Sequence, residues 1–309
     1  MIPSAVVLIL KRIAKVLGIL VALVVVTGGV FVVVECSKFD ASMAKVYDVP
    51  VPKIARSTDA AALARGKHVA ESIAGCTVAA CHGTDFGGGT TTDLGPVGKL
   101  CAPNITGANL GAAYSDGELA RLIQHGVKKD GTSVRMMPMM DLTWLPDSDV
   151  IALVSYLRTV PNVERGNGAT VVGTLGKILD RQDKFVWDVA RRIDHTTRDV
   201  APAPEATVAY GSRLARLCTG CHGLTLSGGP LPGAPSNIPI PLDLTSDATG
   251  MQGWTFDDFD KVMRTGVRKN GRTLDPFMPI DAWKNFDPTE MHALWAYLQS
   301  LPPTPFGGR

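Results

Sequence analysis

Two short clusters of cysteine and histidine carry the chemistry of this chain. Cys218-Thr219-Gly220-Cys221-His222 sets two thiols three positions apart, with an imidazole directly after the second. That spacing suits covalent attachment of a c-type haem: each thiol can form a thioether with a porphyrin vinyl group, and the histidine then ligates the iron from below. A related arrangement lies 140 residues earlier, where Cys76 and Cys81 flank the four residues Thr77-Val78-Ala79-Ala80 and His82 follows at once. Both clusters run into a Gly-rich turn, His82-Gly83 to Gly88-Gly89 and His222-Gly223 to Gly228-Gly229. Two sites in matching context predict two covalently bound haem c groups, with iron held by His82 and His222.

Each iron has a sixth position to fill. A Met-Pro pair follows each cluster, and 18 residues separate Met137 from Tyr156 and Met278 from Tyr297. This equal spacing makes Met137 and Met278 the preferred distal ligands. Met278 is alone in its loop, whereas Met136, Met139 and Met140 crowd the first. A His/Met pair raises the reduction potential and closes the sixth position to oxygen or peroxide, which suits electron transfer. His68 or His125 could replace Met137 and give a lower potential, and Cys101 could supply a thiolate. His68, His125, His195 and His292 all lack the attachment context and are expected as surface or helix-packing residues.

The 309 residues are 45% hydrophobic and 19% charged, with a formal net charge of +2, so nothing points to nucleic acid. Six cysteines are too few for a disulfide scaffold of this size; four belong to the haem sites, leaving Cys36 and Cys101 as free thiols or a bridge. From Val16 to Val34 there are 19 residues without a charge, enough for a helix to cross ~30 Å of hydrocarbon. Lys11, Arg12 and Lys15 precede this run and Glu35 follows it, which places the N-terminus in the cytoplasm and the remainder outside. Thioether attachment of haem in bacteria takes place on that outer side. The run exceeds the 7–15 residues usual in a signal peptide, and the small-residue site Ser42-Met43-Ala44 lies well beyond its end, so an uncleaved anchor is expected over a cleaved leader.

The elements that must position the two sites repeat as well. Asp48 to Lys53 reads as an extended spacer, because each proline disfavours helix in the residue before it. Helices are predicted over Thr58–Ala74 and Tyr210–Leu217, each leading into an attachment site. Ser115 with Glu118, and Thr255 with Asp258, look like caps for a middle helix in each half. Asp147 is expected to cap the last helix of the first half, and Asp287-Pro288-Thr289-Glu290 that of the second. Gly126–Gly131 and Gly266–Gly271 correspond at an offset of 140. Almost no alternating strand pattern is visible. Between the halves, Val172, Leu175, Ile178, Leu179, Phe185, Val186, Val189 and Ile193 form an apolar stripe that predicts a helix bracing the two units. Ala201-Pro202-Ala203-Pro204 makes a stiff tether. Lys128, Lys129, Arg268 and Lys269 are solvated turn residues or guides for an acidic partner.

Both halves resemble class I cytochrome c domains, and the whole resembles membrane-anchored dihaem cytochromes c of bacterial electron-transfer chains. The residues that carry the likeness are the two attachment motifs, Ala102-Pro103-Asn104-Ile105-Thr106, the Met-Pro loops and the terminal Tyr-Leu helices, over residues 60–162 and 206–303. The first motif departs from the family, with four residues between its thiols in place of two. The resemblance implies an all-α fold of two tandem class I cytochrome c domains behind one transmembrane helix. The divisions are 1–55 (anchor and spacer), 56–162 (first domain), 163–205 (connecting helix and linker) and 206–309 (second domain). It implies a non-enzymatic electron carrier, or an electron-transfer subunit of a respiratory complex, on the periplasmic face of the bacterial inner membrane. Its partners would be redox proteins (a periplasmic dehydrogenase, other cytochromes or a terminal oxidase), with lipid around the N-terminal helix. A dihaem peroxidase or thiosulfate dehydrogenase is the alternative, and methionine in both loops argues against the peroxidase.

Overall fold

A computed structural model describes residues 3–107, 109–231, 234 and 238–309. The chain opens with one 40-residue helix, α1 (Ser4–Met43). Its apolar length is exposed, from Val7 through Val34, and among the described residues it is the one helix long and apolar enough to cross a membrane. Its last turns bury one face against the rest of the chain. Phe39 is buried with Val97, Leu179 and Trp187, Lys177 pairs with Asp40 at 2.7 Å, and the Ser42 hydroxyl donates to Asp188. The spacer after it is extended, yet it is bound along the first unit. The Tyr47 amide donates to the Gly131 carbonyl at 2.9 Å, and Arg121 donates to the Val49 carbonyl at 3.2 Å.

Two helical units follow. In the first, α2 (Ala60–His68), capped by Asp59, loosens into a wide π-type turn over Val69–Ile73 before the first cysteine. A short helix α3 (Leu110–Ala113) precedes α4 (Asp116–His125), whose capping box of Ser115 and Glu118 is formed as expected. The unit closes with α5 (Asp147–Leu157) crossing α2. Asp147 does not cap α5. It is the first helical residue, and its carboxylate accepts from Gln124 and Arg198 instead.

The second unit repeats this plan with α7 (Val208–Leu214), α8 (Arg216–His222), α9 (Phe256–Thr265), a short α10 (Ile280–Trp283) and α11 (Pro288–Ser300). The capping boxes of Thr255 with Asp258 and of Asp287 with Glu290 are both present.

Two features depart from the sequence reading. A small antiparallel sheet forms from β1 (Thr91–Asp93), β2 (Gly98–Cys101) and β3 (Val171–Val172). Three such short strands carry too few alternations to show in the sequence. The bracing helix is also shorter than its stripe. The stripe holds only α6 (Thr174–Arg181) and a single 3-10 turn at Ala190–Arg192; Val172 is a strand residue, and the rest of the segment from Phe185 to Ile193 is irregular. It packs on α1 and the first unit, Trp187 against Phe39 and Val189 against the Gly126 backbone, so what it braces is the N-terminal helix.

The two units share one continuous apolar core, in which Trp144 meets Tyr210 edge-on at 6.4 Å. Asp149 and Glu290, the third residues of α5 and α11, are both buried, and Arg65 reaches both, at 2.7 and 3.4 Å. His68 adds a 2.8 Å contact to Glu290.

Candidate haem sites

Each cluster is delivered by the helix before it. In the second unit α8 carries Cys218, Cys221 and His222 on a single helical run that Gly223 ends in a backbone shape a side chain would strain (φ +82°). In the first unit Gly75 (φ +58°) stops the helix one residue before Cys76. The extra two residues are then absorbed by consecutive tight turns, Val78 N–H to Gly75 and Cys81 N–H to Val78, before His82 N–H returns to the Cys76 carbonyl at 3.0 Å. Cys76 and Cys218 are buried and Cys81 and Cys221 half-buried, all with free thiols. Burial pushes the Cys76 and Cys218 thiols up to about 12.

Beyond the histidines the two sites coincide. Phe86 and Leu226 both adopt a positive φ, at 57° and 58°. Gly88 and Gly228 donate back to the carbonyls of His82 and His222 at 2.8 and 2.9 Å. The rings then reach a backbone carbonyl, His82 Nδ1 to Pro103 at 2.8 Å and His222 Nδ1 to Leu242 at 2.6 Å. A carbonyl only accepts, so Nδ1 carries the proton and the Nε2 lone pair is free for a metal. Desolvation lowers both imidazole pKa values, which favours the neutral ring a metal needs. Glycine is required alongside: a Cβ on Gly88 would stand 2.4 Å from the Pro103 backbone, and one on Gly228 2.5 Å from that of Leu242. Haem c therefore fits the donors present: four unpaired thiols and two buried imidazoles whose free nitrogen is preset.

The accepting carbonyls were missed in the sequence, although the signal was there. Pro241-Leu242-Asp243-Leu244-Thr245 repeats the pattern of Ala102–Thr106. Asn104 accepts from the Thr106 amide at 2.9 Å and Asp243 from the Thr245 amide at 2.7 Å, which turns the chain so that the preceding carbonyl faces the histidine.

The Met-Pro turns also match in their backbone hydrogen bonds. The Met139 amide donates to the Met137 carbonyl at 2.7 Å and the Ile280 amide to the Met278 carbonyl at 2.8 Å, with Pro138 and Pro279 at nearly the same dihedrals. Met139 is thus the counterpart of Ile280 and is buried in the shared core. Met136 turns away to the cluster around Phe39 and Trp187. Met137, Met140 and Met278 are half-buried. The other candidates at the first iron are engaged elsewhere. His68 meets Glu290; His125 Nδ1 lies 3.3 Å from His195 Nδ1; Cys101 is a strand residue whose amide donates to Thr170 and whose sulfur faces Gly168. His292 stacks on Phe256 at 4.0 Å.

The cytochrome c family model matches residues 63–161 and again 208–302, more than half of the chain. The chain belongs to the cytochrome c family, whose members hold haem c covalently and transfer electrons; it is an electron-transfer protein. Among curated relatives, it is 26% identical over 282 residues to the cytochrome c subunit of a quinone alcohol dehydrogenase of Gluconacetobacter polyoxogenes, covering 80% of this chain and 57% of the relative. It is 37% identical over 102 residues to a gluconate 2-dehydrogenase cytochrome c subunit of Pantoea cypripedii, covering 31% and 23%. It is 29% identical over 117 residues to a fructose dehydrogenase cytochrome subunit of Gluconobacter japonicus, covering 35% and 24%. The chain thus spans little more than half the length of the relative it matches most extensively among these.

Proposed function

We propose that this chain is a membrane-anchored dihaem cytochrome c that carries electrons for a bacterial dehydrogenase on the periplasmic face of the inner membrane. The observation that carries the reading is the doubled histidine clamp, with Nδ1 of His82 and His222 each held by a backbone carbonyl above a pair of free thiols. Haem c supplies one-electron chemistry when bound. The chain's residues do the rest: Cys76, Cys81, Cys218 and Cys221 hold the porphyrins, and His82 and His222 present Nε2. Met137 and Met278 would supply a thioether sulfur as the second protein ligand to each iron. The matching backbone hydrogen bonds of the two loops favour Met137, the counterpart of Met278, while Met139 is buried in the core and Met136 packs in the cluster around Phe39 and Trp187. Methionine at both sixth positions would leave no open coordination site, which favours a carrier over a peroxidase.

The relatives support a dehydrogenase as partner, because three of them are cytochrome subunits of alcohol, gluconate and fructose dehydrogenases. Docking of Phe39 and Ser42 into the first unit supports an uncleaved helix, since a cut at Ser42-Met43-Ala44 would remove both contacts. The test is intact mass and pyridine haemochrome content of the membrane-extracted protein. Two haem adducts per chain are expected; one adduct or none overturns the reading. In Met137→Ala and Met278→Ala the weak red absorption of methionine-ligated ferric haem should fall by about half, while Met139→Ala keeps it.

A further inference from the structure

The two units meet reciprocally. The short helix α10 after Met278 packs on the π-type turn that leads to Cys76, and Ala282 faces Gly75. In the other direction the turn after Met137 lies against α8, where Arg216 donates to the Met140 carbonyl at 2.9 Å. Asp141 is the counterpart of Ala282: its amide donates to Pro138 as that of Ala282 does to Pro279. The repeat therefore puts a methyl group beside the first attachment site and a carboxylate beside the second.

The Asp141 carboxylate is half-buried and accepts no hydrogen bond among the described residues. Its charge acts on both Cys218 and Cys221. Arg216, on α8, is the charged side chain that bears on it, and the two thiols it faces are consumed by haem attachment. Trp144 holds its loop in place, donating to the Asp141 carbonyl at 2.6 Å. Arg216 offsets only part of this charge, so a carboxylate beside Cys218 and Cys221 would disfavour the arrival of an electron at a haem held there.

We infer that Asp141, contributed by the first unit, sets the potential of the second haem and couples its reduction to uptake of a proton, leaving the first haem without such coupling. The inference rests on the two-haem reading above. Asp141 takes up one proton from solvent as one electron arrives from the donor at the second iron, and returns it when the electron leaves. Desolvation supports this by pushing the carboxyl up to about 7, where solution pH can titrate it.

The test is an optically monitored redox titration of the detergent-solubilised, fully loaded chain at several pH values. Two midpoints are expected, one flat and one falling as pH rises, with a slope approaching ~59 mV per tenfold change in proton concentration at full coupling. In Asp141→Asn the sloping midpoint should rise and flatten while the other stays in place. Arg216→Gln, should the first variant load poorly, should move the sloping region to higher pH. A slope retained in Asp141→Asn, or an equal shift of both midpoints, overturns the inference. A single midpoint with one haem per chain would sink the two-haem reading instead.

Discussion

Gly66 of α2 lies so close to Ala152 of α5 that a Cβ would stand 2.0 Å from the Ala152 carbonyl oxygen, and Gly211 of α7 meets Ala293 of α11 in the same way at 1.9 Å. Behind each glycine stands the Cβ of the corresponding tyrosine, Tyr156 or Tyr297. The first and last helices of each unit therefore cross backbone to backbone, and this contact sets the entry of the chain into the attachment site. The obstructing atoms are main chain and cannot rotate away. Gly66→Ala and Gly211→Ala should each cost at least the upper end of the ~1–3 kcal/mol of ordinary overpacking. Gly166→Ala, at a position open to space, should be neutral. Thermal unfolding followed by far-UV circular dichroism compares the three.

The pairing of Arg65 with both Asp149 and Glu290 yields a second expectation. Asp149 and Glu290 occupy the same helical position in the two units, but one cation serves both, because the residue matching Arg65 is Tyr210. Removing Arg65 would strand the buried Asp149 carboxylate and leave the fully enclosed Glu290 with only His68 and the Asp287 amide. Arg65→Ala should lose ~3–5 kcal/mol, the cost of breaking a buried pair from one side. Glu290→Gln should lose less, since the amide can still accept from Arg65 and carries no charge. Chemical denaturation of the haem-loaded protein gives both values.

Much of this arrangement was legible in the sequence because it is written twice. The thiols and histidines, the capping boxes of Ser115 and Thr255, and the register of Met137 with Met278 all come from matching one half to the other. What was not legible depends on contacts that have no repeat. Arg65 and Asp141 have Tyr210 and Ala282 as partners in the other half, so comparison hides their roles. The stripe from Val172 to Ile193 has the composition of a helix, but α1 and the first unit draw its residues into a strand, a short helix and irregular chain. The clamps on His82 and His222 involve backbone carbonyls, which no side-chain pattern announces; only the Asn104 and Asp243 turns hint at them.

His125 should make the first unit sensitive to acid. Burial, with help from the neighbouring His195 and from Arg198 and Arg121, pushes its imidazole down to about 4. Between pH 6.5 and about 4 the unfolded ring binds a proton that the folded ring does not. The stabilisation is therefore complete above that window and is lost as pH falls through it. His125→Gln should reduce the difference in melting temperature between pH 7 and pH 5 relative to the parent protein. An unchanged difference would mean that other groups govern the acid transition.

The junction between α1 and the first unit makes the last prediction. Phe39 is 2% exposed and packs with Val97, Leu179 and Trp187, only a short way along the helix from the last uncharged residue of the apolar run, Val34. At 1.5 Å per residue the helix emerges from the hydrocarbon and enters the protein core within about two turns. A chain shortened to begin at Glu35 keeps this contact, along with the Lys177–Asp40 pair and the Ser42–Asp188 hydrogen bond. It should be water-soluble and monodisperse, with the melting temperature of the full-length protein in detergent. A chain beginning at Lys45 uncovers the apolar cluster and leaves Asp188 without its hydroxyl partner. It should melt lower and associate, and Phe39→Ala in the longer chain should reproduce the loss at ~3–5 kcal/mol. Equal melting of the two truncated chains would show that the helix end is merely resting on the unit, and that the first haem domain has freedom to turn over the membrane surface.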